Sequence, residues 1–147
     1  MPEQDLHASI NDAVEQVLET MCFSAVLGPC ETAQAQPFLD RSAVVDYSGA
    51  SVGSVLIGCD EAGARGLAAN FLGSEDASEE QVSGFLAELA NMLCGAVVST
   101  LNGGGNYSLG TPRVVPPAAL TETGGVRCDF EIDGGILSVL ALRREAA

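Results

Sequence analysis

The chain has no lysine and no tryptophan, and among its 147 residues only two tyrosines and one histidine. Without lysine there is no Schiff-base chemistry and no phosphate lysine of the Walker type. His7 alone cannot supply a Ser/His/Asp or Cys/His nucleophile system, and it lies in an N-terminal stretch expected to fray. Six basic residues, all arginine, face twenty acidic ones, for a formal net charge of −14. That balance repels phosphate backbones and anionic lipid, so neither nucleic acid nor membrane is expected as a partner. No apolar run approaches the roughly 18–20 residues of a bilayer span. The opening MPEQDLHASIND lacks the basic and apolar blocks of a signal peptide. A soluble, cytoplasmic protein is expected. Cysteines stand at 22, 30, 59, 94 and 128, an odd count with no CxxC pair, which argues for reduced thiols acting as small hydrophobes. No spacing of histidine, cysteine and carboxylate suggests a metal site.

What is present is a globular composition, with 47 % hydrophobic and 18 % charged residues. The length fits one domain over 1–147, with 1–8 and 143–147 expected to fray. Ile10, Ala13, Val14, Val17, Leu18 and Met21 recur at helical spacing, and Ser9 with Asp12 resembles a capping box, which predicts a helix over 9–23. Leu27-Gly28-Pro29 ends that pattern, and 30–40 reads as loop. Residues 43–47 and 52–57 form a predicted hairpin around Ser48-Gly49-Ala50-Ser51. Asp60 is a candidate cap for a short helix over 61–72, closed by Gly73.

Ser78 and Gln81 form a capping box for the strongest helix. Val82, Phe85, Leu86, Leu89, Leu93, Ala96, Val97 and Leu101 make its apolar stripe, predicting a helix of about 24 residues stopped by Asn102-Gly103-Gly104-Gly105-Asn106. Those glycines end a helix rather than open one, so they are not read as a phosphate loop. Tyr107–Val115, interrupted by Pro112, suggests an irregular or edge strand, and 126–132 with 136–142 a second hairpin. The pattern predicts an α+β, two-layer domain: an antiparallel sheet packed with one long and two shorter helices. Two hairpins, each preceded by helix, hint at an internal duplication.

One stripe on the long helix has no place in that core. At 100° per residue, Gly84, Glu88, Asn91 and Gly95 fall roughly 180–240° from the apolar stripe. Glu88 and Asn91 rise from neighbouring turns toward the same space. Two glycines inside a helix cost about 1 kcal/mol each relative to alanine. They leave either a flat surface for another molecule or room for another element of this chain, and periodicity alone favours the second reading.

The wording Glu88-Leu89-Ala90-Asn91-Met92-Leu93-Cys94-Gly95 resembles the E-x-x-N helix of the CheC/CheX/FliY group of chemotaxis phosphatases, most closely its CheX-like branch. The first helix ending Val17–Phe23, the hairpin ending Val55–Cys59 and the segment Thr111-Pro112-Arg113-Val114-Val115 are also similar to that group. The resemblance implies a CheC-like fold and hydrolysis of the aspartyl-phosphate of a CheY-type receiver domain. Asn91 would orient the attacking water and Glu88 would pair with the receiver's active-site lysine. Gly84, Gly95 and Pro112 would lie at the docking surface. The Mg²⁺ would belong to the receiver, with no cofactor or metal held by this chain. The resemblance also implies a homodimer formed through sheet edges. Gly84 stands where the family places Asp or Ser, and Pro112 falls a little earlier than the family proline. The rival reading is a non-catalytic receiver-binding module of the same fold. A structural role, as in relatives of the flagellar switch, finds less support in a short acidic chain.

Overall fold

The computed structural model describes residues 3–22, 26–29, 40–49, 51–73, 76–100, 106–115, 125–132 and 134–144. In chain order the elements are α1 (Glu3–Met21), β1 (Val26–Pro29), β2 (Arg41–Gly49), β3 (Val52–Cys59), α2 (Glu61–Leu72), α3 (Glu79–Val98), β4 (Tyr107–Leu109), β5 (Arg113–Val115), β6 (Gly125–Ile132) and β7 (Gly135–Arg144). The strands form one antiparallel sheet in the order β1-β6-β7-β3-β2-β4, and β5 pairs β2 beside β4. The hairpins β2–β3 and β6–β7 meet through their second strands, with Leu56 opposite Leu140. That is the pseudo-two-fold arrangement a duplicated helix–hairpin unit would give.

Alternation along the strands sorts the two sheet faces. Ala43, Val45, Tyr47, Val55, Ile57, Val126, Cys128, Phe130, Leu137 and Val139 face the three helices and form the main core with them. Val44, Leu56, Leu140 and Leu142 make a smaller cluster on the other face.

Several boundaries differ from the sequence reading. α1 begins well before residue 9, because Leu6 extends its buried stripe by a turn. Ser9 is therefore no cap; it is buried within the helix, and its hydroxyl accepts a hydrogen bond from Thr100 Oγ1 at 2.6 Å. Residues 3–8 are helical rather than frayed, and Arg143 and Arg144 continue β7 opposite Gly53 and Val52. Leu27, Gly28 and Pro29 belong to a short edge strand, where proline's missing N–H costs no ladder bond. α1, at 19 residues, nearly equals α3, so the described residues form two long helices and one short one. α3 itself has 20 residues, and Ser99 and Thr100 already lie in a turn. By length and composition alone α3 could cross a bilayer, contrary to the expectation of no such run; half of it is buried in this domain as the central core helix. The loop reading of 30–39 and the roles of Leu101, Gly103, Gly104 and Gly105 lie outside the described residues.

Local chemistry fixes the helix starts. Asp60 caps α2: its Oδ1 accepts from the Gly63 N–H at 3.0 Å and also from the Ile136 N–H at 3.0 Å. One carboxylate thus ties α2 to the last hairpin. Gly63 and Gly135 permit this approach, since a Cβ on either would crowd that carboxylate. Gly73, at φ 68°, closes α2 in the left-handed region.

Arg41 on β2 spans both following helices. Its Nε donates to Glu61 Oε2 at 2.7 Å, and its Nη2 donates to Glu79 Oε2 at 2.6 Å. Arg65 repeats the pattern, with Nε 2.9 Å from Glu61 Oε1 and Nη2 3.2 Å from Glu79 Oε2. These hydrogen bonds, Arg41 first, hold the Glu61 carboxyl at about 2, well below its ordinary range. A lowered folded-state pKa means stability that is present above the unfolded value, roughly 4.3, and lost as pH falls toward the folded value. Glu61→Gln is therefore expected to lower the urea midpoint at pH 7, with the gap closing as pH falls through about 2. Because the Glu61 side chain is 44 % exposed, screening makes the effect modest, and 1 M salt should shrink it. A gap between the two proteins that stays constant with pH would contradict this assignment.

Candidate functional site

α3 carries the candidate site, and its start is well defined. Ser78 Oγ accepts from the Gln81 N–H at 3.1 Å, while Gln81 Oε1 accepts from the Ser78 N–H at 2.8 Å. Glu79 and Glu80 sit in the first turn, where the helix dipole favours them. From there the helix turns Val82, Phe85, Leu86, Leu89, Ala90, Leu93, Cys94 and Val97 into the core. Ala96, assigned to the apolar stripe from its spacing, is only half-buried at the edge of that core.

The opposite side presents the four residues singled out by spacing. Gly84 and Glu88 are exposed, while Asn91 and Gly95 are half-buried. Among the described residues, neither Glu88 nor Asn91 has a hydrogen bond or ion pair within the chain. The two polar groups are held by the packing beneath them. Leu89, Ala90 and Leu93, fully buried, fix the rotation of the helix and so the direction of Glu88 and Asn91. Among the described residues Gly84 faces open space, whereas Gly95 lies against β4. A Cβ on Gly84 would meet nothing within 4 Å, and one on Gly95 would meet only Leu109 Cδ2 at 3.9 Å. Among the described residues, Gly84 thus faces no other element of the chain, while Gly95 faces β4. Pro112 lies elsewhere, half-buried in the break between β4 and β5 on the sheet edge that runs beside α3.

A carboxamide can accept from a water and donate to a phosphoryl oxygen at the same time, whereas a carboxylate can pair with a cation. The stripe therefore offers positioning groups rather than a nucleophile. The nearest thiol, Cys94, faces the core, and burial pushes it up to about 12. Burial also pushes Cys22 and Cys128 up to about 11. No group of three His, Cys, Asp or Glu residues is gathered as a ligand set among the described residues.

His7 is not in a frayed stretch. It lies on α1, with Nδ1 3.1 Å from Cys128 Sγ on β6. With Asn11, Glu15, β1 and residues 127–130 it borders a cavity of about 570 Å³. Sequence reasoning missed this contact because the partners are 121 positions apart. It also missed the edge strand as a flank of α3, for which the broken pattern around Pro112 was the only signal.

Residues 41–130 match the family model described as chemotaxis phosphatase CheX. No curated protein matches the sequence. Among solved structures, the fold is similar to the chemotaxis protein CheX from Vibrio vulnificus, at a TM-score of 0.76 and 22 % identity over 95 % of this chain and 96 % of that one. It is similar to a chain of the CheX–CheY–BeF3–Mg complex from Borrelia burgdorferi, with a TM-score of 0.75 and 22 % identity over 95 % and 98 % of the two chains. FliY from Thermotoga maritima matches at 0.59 and 14 % identity, over 97 % of this chain and 91 % of that one. At these identities the structural matches speak to fold.

Proposed function

The chain belongs to the CheX family of chemotaxis phosphatases, and from that premise we propose that it hydrolyses the aspartyl-phosphate of a CheY-type receiver domain. The observation that carries the proposal is the outer stripe of α3: Glu88 and Asn91, one turn apart and without side-chain partners among the described residues, between Gly84, which opens onto free space there, and Gly95 beside β4. In this reading α3 lies across the phosphorylated pocket of the receiver. Asn91 accepts from a water and holds it in line with the phosphorus. Glu88 pairs with a basic side chain of the receiver and sets the register. An acyl phosphate is already a reactive linkage, so positioning supplies most of what the reaction needs. The Mg²⁺ that balances phosphoryl charge belongs to the receiver. The Borrelia structure, a CheX with a CheY, BeF3 and Mg, supports a receiver as the kind of partner.

The same reading includes a cytoplasmic protein and a homodimer. The edge strand β1, with Leu27 62 % exposed, is a candidate pairing edge. A monomeric mass by sedimentation at micromolar concentration would remove the dimer without touching the catalytic assignment.

The test is phosphate loss from a panel of phosphorylated, Mg²⁺-bound receiver domains of the host. At least one receiver is expected to lose phosphate faster when the protein is added. If none does, yet one binds, the open face at Gly84 favours the rival reading, a receiver-binding module without catalysis.

A further inference from the structure

α3 has two different flanks. Phe85 meets Phe71 of α2 on one of them, with ring centroids 5.3 Å apart. Gly95 approaches Leu109 of β4 on the other. By the 100° helical step, Asn91 stands roughly 120° from Phe85, on the side away from α2. α3 runs along β2 with its start near Arg41 and its later turns near Tyr47 and Leu109. β5, paired with Ser42–Val44, therefore flanks the first half of the helix, and β4, paired with Tyr47–Gly49, flanks the second.

The register decides which edge residues share the helix side. Val114 is opposite Ala43 and Leu109 is opposite Tyr47, and both partners belong to the helix-facing core. Val114 and Leu109 therefore point to the same side of the sheet as α3. Leu109 packs partly against the core, but Val114 is 53 % exposed. Arg113 is turned to the other face, where its Nη1 pairs with Asp46 Oδ2 at 3.1 Å.

Charge marks the same surface. In a chain of net charge −14, the residues of 82–98 that are not buried carry one charged side chain, Glu88, and Arg113, the one charge in 106–115, is turned away from it. Depletion of charge is the compositional mark of an interface core, and here it also removes repulsion from the acidic magnesium pocket of a receiver.

We infer that the receiver covers α3 and the β4–β5 edge together, and that Val114 is a positioning residue which seats an apolar side chain of the receiver beside the first half of α3. This inference rests on the phosphatase reading. Val114 touches no reacting atom; it fixes how the receiver sits, and Leu109 and Pro112 shape the shelf on which it does so.

The experiment compares wild type with Val114→Asp and Val114→Ile in steady-state dephosphorylation of the responding receiver, with circular dichroism and thermal melting as folding controls. Placing an unpaired carboxylate in the interface should raise KM by at least about tenfold and leave kcat within about twofold, since the reacting groups are untouched. Val114→Ile should behave like wild type. Binding of the BeF3-loaded receiver to the Asp variant should weaken by the same factor as KM rises. Unchanged KM and affinity in a folded Asp variant would overturn the inference while leaving the phosphatase reading intact. A fall in kcat at constant KM would overturn it as well. A wild-type protein inactive on every receiver would overturn the phosphatase reading, and the role of Val114 in it.

Discussion

Asn91→Ala is expected to return the responding receiver to its intrinsic rate of phosphate loss, a drop in the catalysed rate on the order of a hundredfold or more, the scale on which misplacing a reacting group is felt. The substitution should leave the fold alone. Asn91 is half-buried, its side chain makes no hydrogen bond among the described residues, and it sits mid-helix, where alanine is the better helix former. Binding of a BeF3-loaded receiver should persist, because Glu88 and the surrounding surface remain. Glu88→Ala should fail differently, with weaker binding accompanying the lost rate. The pair separates two roles that a single activity assay would merge. Full activity of Asn91→Ala on every receiver that responds to wild type would remove the water-positioning role.

The largest effect on stability is expected at Gly53, in the middle of the sheet. A Cβ there would run into the backbone carbonyl of Leu142 on one neighbouring strand and the phenol ring of Tyr47. The ring could shift, but the carbonyl belongs to the β3–β7 ladder and cannot yield without breaking it. Gly53→Ala should therefore cost about 3 kcal/mol or more, at the upper end of what overpacking does, because backbone must move. For a chain of this size that lowers the melting temperature by roughly 10 °C. Tyr47→Leu should not rescue it, since the carbonyl remains. A melting temperature within about 2 °C of wild type, corresponding to less than 1 kcal/mol, would show that β3 and β7 slide apart more easily than their register suggests.

Elements whose causes are local in sequence are legible from the sequence alone. The Asp60 cap, the span of α2, the Ser78–Gln81 box and both hairpins follow from spacing and turn chemistry within a few residues. The Glu88–Asn91 stripe was legible for the same reason, since one helix supplies all of it. The start of α1 was not, because Ser9 has the chemistry of a cap but is drawn inside by Thr100, 91 positions away. β1 is too short to show alternation. The Arg41 network joins residues 20 and 38 positions apart, which no periodicity encodes. The flank that β4 and β5 give to α3 depends on register across strands, and Pro112 disguised it as a single broken strand.

The strand order has a consequence for how the protein is made. β7, the last strand in chain order, lies at the centre of the sheet between β6 and β3. During synthesis β2 and β3 can pair as soon as they emerge, but one side of β3 stays open until β7 is delivered. For that interval a strand carrying the apolar run Val55-Leu56-Ile57 offers its unpaired N–H and C=O groups to any neighbouring chain, which is the usual route to edge-to-edge aggregation. A ribosome that stalls after α3 would hold the entire Glu88–Asn91 helix without the sheet half that anchors it. The helix that carries Glu88 and Asn91 is thus fully anchored only when the final hairpin closes.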